Sequence, residues 1–157
     1  MHQTIQGKIR LCLDIKKKRS KWYSLEEIRA NDGMTIAIVV RKNFKKDGVN
    51  FLSKNDSSLQ LGVNSYKKGG KIKPHIHKNR EITIGNLQEV LYIKSGKSII
   101  NLYNYCGELL KSLRLSTGDL VFLISGGHGL IMLEDTTIIE VKQGPYLGKD
   151  QDKALIE

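Results

Sequence analysis

From residue 59 to residue 144 the chain keeps one texture: short runs of aliphatic, β-branched and aromatic residues, each cut off within a few positions by turn formers. LQLGVNSY is followed by KKGG, KIKPHIH, QEVLYIK, SGK and SIINLYNY; Cys106-Gly107 then separates SIINLYNY from ELLKSLRL. Thr117-Gly118-Asp119 turns the chain into LVFLI, and GLIMLE and TTIIEVKQ close the series before Gly144-Pro145. Runs of this length with turn signals between them are antiparallel strands, and a tight hairpin is expected at Cys106-Gly107. Helical periodicity is almost missing after residue 33, so the expected class is all-β, a sandwich or a barrel.

Upstream of that region the pattern is mixed. Ser24 is followed three residues later by Glu27, and SLEEIRAND stops at Gly33. That spacing predicts a capping box, a short N-terminal helix and a glycine exit. Thr35 to Val40 (TIAIVV) is a β-branched apolar run, expected as a strand buried on both faces. Residues 41–58 are polar with scattered turn formers and are expected as a surface loop with at most one short edge strand. A length of 157 residues suits one domain. Residues 1–58 are expected as an N-terminal extension packing on a barrel formed by residues 59–157.

Two cysteines, Cys12 and Cys106, with no C-x-x-C spacing, write neither a disulfide framework nor a thiolate zinc site. The N-terminus lacks the apolar stretch and cleavage site of a secretory signal, and no run approaches the roughly 18 apolar residues of a membrane span. A soluble, cytoplasmic protein with no membrane partner is expected. The net charge of +10 is one-sided: residues 1–80 carry 19 Lys and Arg against 6 Asp and Glu, and residues 81–157 carry 7 against 10. The densest run, Lys16 to Lys18 with Arg19 and Lys21, can attract phosphate or another anion. No helix-turn-helix, zinc finger or RNA-binding aromatic motif accompanies it, so a solvated basic face is the plainer reading and nucleic acid is not the expected partner.

Four residues carry metal-ligating chemistry. His75 and His77 are two apart in a β-rich segment, which puts both imidazoles on one face of a strand. Glu89 opens EVLYIK and shares a face with Leu91 and Ile93, where a carboxylate among aliphatic groups calls for a compensating cation. Glu81 competes for the same role, being nearer to His77, but it precedes TIGN and reads as loop. His128 lies in SGGHGL and alternates with Leu130 and Met132, which points it inward. Taken singly each has an ordinary explanation: surface histidines, a solvated or ion-paired glutamate, a hydrogen-bonded core histidine.

Together they resemble the cupin superfamily. Its first motif is a glycine, five residues, H-x-H, a short gap, and a glutamate with a glycine after six further residues; Gly69, His75, His77, Glu89 and Gly96 match all but the gap. Its second motif corresponds to Gly118, Gly126 and His128, with Ile124 where the family has proline and Met132 where it has asparagine. Eleven residues separate His77 from Glu89 instead of three or four, which reads as an insertion extending a hairpin and selects Glu89 over Glu81. LQLGVNSYKKGGKIKPHIH, QEVLYIKSG, SGGHGL and EVKQGPYLG are similar to a group of small bacterial and archaeal cupin proteins.

The resemblance implies a double-stranded β-helix, or jelly-roll, barrel with one divalent metal on His75, His77, Glu89 and His128. Three imidazoles and a carboxylate suit Fe, Mn, Ni, Zn or Cu. Gln88, Glu140 and Tyr92 are candidates for orienting the imidazoles. An enzyme acting on a small polar or anionic metabolite is implied, an isomerase, lyase or dioxygenase, with Lys71, Lys73, Lys78 and Arg80 favouring an anionic substrate such as a phosphorylated or carboxylated sugar. The alternative is a non-catalytic module that senses a metabolite or metal. A homodimer is expected, because sheet edges need partners and Val90 and Tyr92 face away from the metal side.

Overall fold

The computed structural model describes residues 24–156. In chain order the elements are β1 (Leu25–Arg29), β2 (Thr35–Val40), β3 (Gly48–Phe51), β4 (Gly62–Ser65), β5 (Glu89–Ser95), β6 (Lys97–Tyr103), β7 (Leu109–Ser116), β8 (Leu120–Leu123), β9 (Gly127–Met132), β10 (Thr137–Lys142) and the single-turn helix α1 (Lys149–Asp152). Every strand pairing is antiparallel. The strands form a five-stranded sheet ordered β1-β2-β8-β5-β10, a three-stranded sheet ordered β7-β6-β9, and the β3-β4 hairpin. The all-β expectation is met as a sandwich of antiparallel sheets, and strand pairing among the described residues does not close a barrel. No described helix is long and apolar enough to cross a membrane.

Period-two alternation decides what each face buries. Leu91 and Ile93 of β5, Ala37 and Val39 of β2, and Val121 and Leu123 of β8 meet Ile100 and Leu102 of β6 and Leu115 of β7 in the core between the two larger sheets. On the opposite face of the five-stranded sheet, Ile38, Val40 and Phe122 pack with Leu61, and Val63 and Val90 flank them. β2 is therefore buried on both faces, which is why TIAIVV shows no polar alternation. Truncating Phe122, which is fully buried, would cost about 3–5 kcal/mol.

The chain crosses from one sheet to the other at Gly96, between β5 and β6. Its φ of 91° favours glycine, and a Cβ there would strike the Asp135 carbonyl and Thr136. β7 and β8 are joined at Gly118, also at positive φ, with Asp119 donating its backbone N–H to the Ser116 carbonyl at 2.9 Å. The turn expected around Cys106-Gly107 is present: Asn104 accepts the backbone N–H groups of Cys106 and Glu108 at 2.9 Å each.

Two expectations are corrected. Leu25–Arg29 is strand β1, not a short N-terminal helix; it pairs along β2, and Ile28 is buried in the core. The Ser-x-x-Glu spacing is used otherwise, since Glu27 accepts a 2.6 Å hydrogen bond from the Thr35 hydroxyl across the hairpin. KIKPHIH is not a strand either: residues 66–88 contain none. Pro74 offers no N–H to a ladder, and no neighbouring strand supplies partners to the segment.

Candidate functional site

The interior faces of β5 and β9 run out of aliphatic residues at the same end of the sandwich. On β5 the inward positions are Ile93, Leu91 and finally Glu89; on β9, Leu130 packs on the core and His128 comes next toward the end. Leu91 is paired with Glu140 and Val121, and Glu89 with Lys142 and Leu123, so β5, β8 and β10 bring these ends together. The result is an open cleft of about 730 Å³ whose lining includes Glu89, Tyr103, Leu123, His128, Lys142 and Lys153. That volume falls within the roughly 300–1,000 Å³ range of small-molecule sites.

Inside it the His128 Nε2 lies 3.8 Å from the Glu89 Oε2, with side chains 29% and 16% exposed. The separation is beyond a direct hydrogen bond, so each group keeps capacity for a third partner. Burial, helped by the charge of Glu140, pushes the Glu89 carboxyl above its ordinary value of 4.5, against the opposing pull of Lys153 and Lys142. Burial followed by the charge of Lys153 pushes His128 below its ordinary 6.5, opposed by Glu140. Both shifts favour the neutral form of a group held away from water.

The far wall comes from the C-terminal residues. α1 and the residues after it place Asp152 within 3.7 Å of the Lys142 ammonium, and the Asp152 carboxylate accepts the Leu147 N–H at 3.2 Å. Ile156 sits against Gly107 and Gly127: a Cβ at Gly107 would lie 3.1 Å from Ile156 Cγ2, and one at Gly127 would collide with Ile156 Cδ1. Glycine at these positions lets the chain end lie along the cleft.

The four sequence-predicted ligands fall into two pairs. Glu89 and His128 share the cleft. His75 and His77 lie on the exposed 66–88 segment, with ring centroids 5.0 Å apart at an interplanar angle of 71°. The His75 Nδ1 is 2.9 Å from the Lys73 carbonyl, and Ile76 between the two histidines is 94% exposed. Among the described residues no group of three or more His, Cys, Asp or Glu side chains is gathered as a metal centre. The chemistry of the donor set suits a divalent transition ion, but its placement in two pairs does not form one coordination sphere.

Glu81 is exposed on the same segment as the two histidines and does not line the cleft. Of the residues expected to orient the imidazoles, Gln88 instead accepts the Leu59 N–H at 2.9 Å and donates its own backbone N–H to Gln143 at 2.7 Å, which ties the start of β5 to neighbouring chain. Tyr92 faces away from the cleft and is exposed, while Glu140 reaches the pair only through its charge. The basic run Lys16 to Lys21, like Cys12, lies outside the described residues.

Sequence reasoning missed Lys142, Lys153, Tyr103 and Ile156. Lys142 reaches the cleft only through the pairing of β10 with β5, and DQDKALIE has no periodicity to mark it as a wall. Fold and site together define an antiparallel β-sandwich with a carboxylate–imidazole cleft between its sheets. Comparison with protein-family models, with curated proteins and with solved structures gave no match.

Proposed function

We propose that this chain is a cupin-type enzyme acting on a small polar or anionic metabolite bound in the cleft, with Glu89 and His128 at its reacting centre. The observation that carries the reading is the convergence of a desolvated carboxylate and a desolvated imidazole, 3.8 Å apart, in a cleft of metabolite size. Neither group is tied up by a direct hydrogen bond to the other, and such pairs are the usual means of moving a proton between substrate atoms. Lys142 and Lys153 beside them favour a substrate with a carboxylate or phosphate. Isomerisation and elimination are the reaction types these residues can serve alone.

The metal part of the proposal assigns His75, His77, Glu89 and His128 to one divalent ion, which would supply Lewis-acid polarisation of a carbonyl or hydroxyl. It requires the segment bearing His75 and His77 to reach the cleft in the loaded protein. A non-catalytic sensor is the second reading, favoured by the pairing of Lys142 with Asp152, which commits two of the further charged groups in the cleft to each other.

Metal analysis of protein purified without chelator, followed by turnover assays on phosphorylated and carboxylated sugars, tests both. The enzyme reading expects product formation that is lost in His128→Ala. Binding of such a ligand with no turnover would favour the sensor.

A further inference from the structure

At the other end of the sandwich, where β2 and β7 finish and β6 and β8 begin, lies a second pocket of about 330 Å³ lined by Arg41, Lys42, Lys97, Arg114, Asp119 and Leu133, with Leu115 at its side. Among the described residues, four cations face one carboxylate there. That carboxylate is already committed: Asp119 accepts the Arg41 guanidinium at 3.0 Å, the Lys42 N–H at 3.1 Å and the Ser116 N–H at 3.0 Å. Arg41 also donates to the Arg114 carbonyl at 2.7 Å. With side chains only 10% and 5% exposed, Arg41 and Asp119 form a fixed, mutually neutralised floor.

The rim keeps its charge. Lys97 is paired with Glu134 at 2.9 Å, but among the described residues neither the Lys42 ammonium nor the Arg114 guanidinium has an ion-pair partner. Lys42 is also held in place. Gly118, at a φ of 90°, leaves the space in which its stem lies, since a Cβ there would come within 2.8 Å of Lys42 Cβ. Leu133, exposed beside these cations, gives the same pocket an apolar side.

We infer that this second pocket binds a small organic anion, with its phosphate, sulfonate or carboxylate head on Lys42 and Arg114 and its apolar body against Leu133. Unpaired cations beside a preformed apolar wall suit a molecule carrying both features better than an inorganic ion alone. The site is separate from the cleft at Glu89 and His128, because it lies at the opposite ends of β6, β8 and β9.

The test uses 8-anilinonaphthalene-1-sulfonate, an aromatic sulfonate, with the full-length protein. Amide chemical-shift mapping should place its strongest effects at Lys42, Asn43, Ser116 and Leu133, and excess inorganic phosphate should compete. The double variant Lys42→Ala, Arg114→Ala should lower affinity about tenfold or more, as expected for losing two charge-assisted contacts, with an unchanged melting temperature. The charge-matched control Lys67→Ala, Lys68→Ala, on the exposed segment, should bind as the parent does. Shifts centred on Glu89 and His128, shifts scattered over the surface, or equal losses in both double variants would overturn the inference.

Discussion

Asp119 carries more of the fold than any other charged residue described. It accepts hydrogen bonds from Arg41, from the Lys42 and Ser116 backbone, and more weakly from the Ser116 hydroxyl at 3.3 Å. Removing it takes the carboxylate away from a buried guanidinium and leaves two backbone donors without their acceptor. Breaking a buried pair in this way typically costs about 3–5 kcal/mol, so Asp119→Ala should lose that much in chemical denaturation; a loss below about 1 kcal/mol would show that water replaces the carboxylate. In the sequence Asp119 is visible only as a turn residue in Thr-Gly-Asp, because Arg41 is 78 positions away. The same limit governs the cleft. The inward direction of Glu89 follows from alternation with Leu91 and Ile93, a local property, whereas Lys142 and Lys153 arrive by long-range pairing and by the path of the chain end.

At the scale of elements, β1 shows how one local signal serves two structures. Ser24-x-x-Glu27 fits a helix cap, yet the eight residues between Ser24 and Gly33 are too few for a stable isolated helix, and as a strand Leu25–Arg29 buries Ile28 and ladders along β2 with a register shift between Ile28 and Arg29. Asp32 and Gly33 then act in the hairpin turn: the Asp32 carboxylate accepts the Met34 N–H at 2.9 Å, and Gly33 takes a φ of 84°. The hydrogen bond from the Thr35 hydroxyl, ahead of the opposing effect of burial and the help of Arg29, holds the Glu27 carboxyl below its ordinary value of 4.5. A depressed carboxyl contributes stability that is present above 4.5 and is lost as pH falls through the folded-state value. Glu27→Gln should therefore be less stable than the parent at pH 7, with the gap closing in acid. A gap independent of pH in thermal melts would assign the difference to packing. The strands of 89–142 were legible because turn formers bracket each run; KIKPHIH was not, because its alternation resembles a strand while Pro74 and the lack of a partner prevent one.

At the scale of the molecule, the outer face of β5 and β10 is largely uncovered among the described residues. Tyr92 pairs in register with Ile139, Val90 with Val141; the β3-β4 side shelters Val90, but Tyr92, Ile139 and Val141 remain exposed. Ile72, Ile76, Ile82 and Ile84 on the segment between β4 and β5 are exposed as well. A second copy would bury the outer face together with the free edge of β10, in line with the homodimer expected from the strand pattern. Light scattering at micromolar concentration should give about twice the 17.7 kDa of one chain, and Tyr92→Asp with Ile139→Asp should return it to a single chain. A parent protein that scatters as one chain would remove the dimer.

Glu89 and His128 line the cleft and Glu81 does not, so the proposed functional centre holds the first two and excludes the third. Chelator competition with Zn(II) or Co(II) on the single variants tests it most directly. Glu89→Ala and His128→Ala should each weaken binding by more than the roughly 10–100-fold typical of changes outside the ligand set, while Glu81→Ala should leave it unchanged. Loss of the ion in Glu81→Ala with full binding in Glu89→Ala would contradict the claim and move the site to the segment that carries His75 and His77.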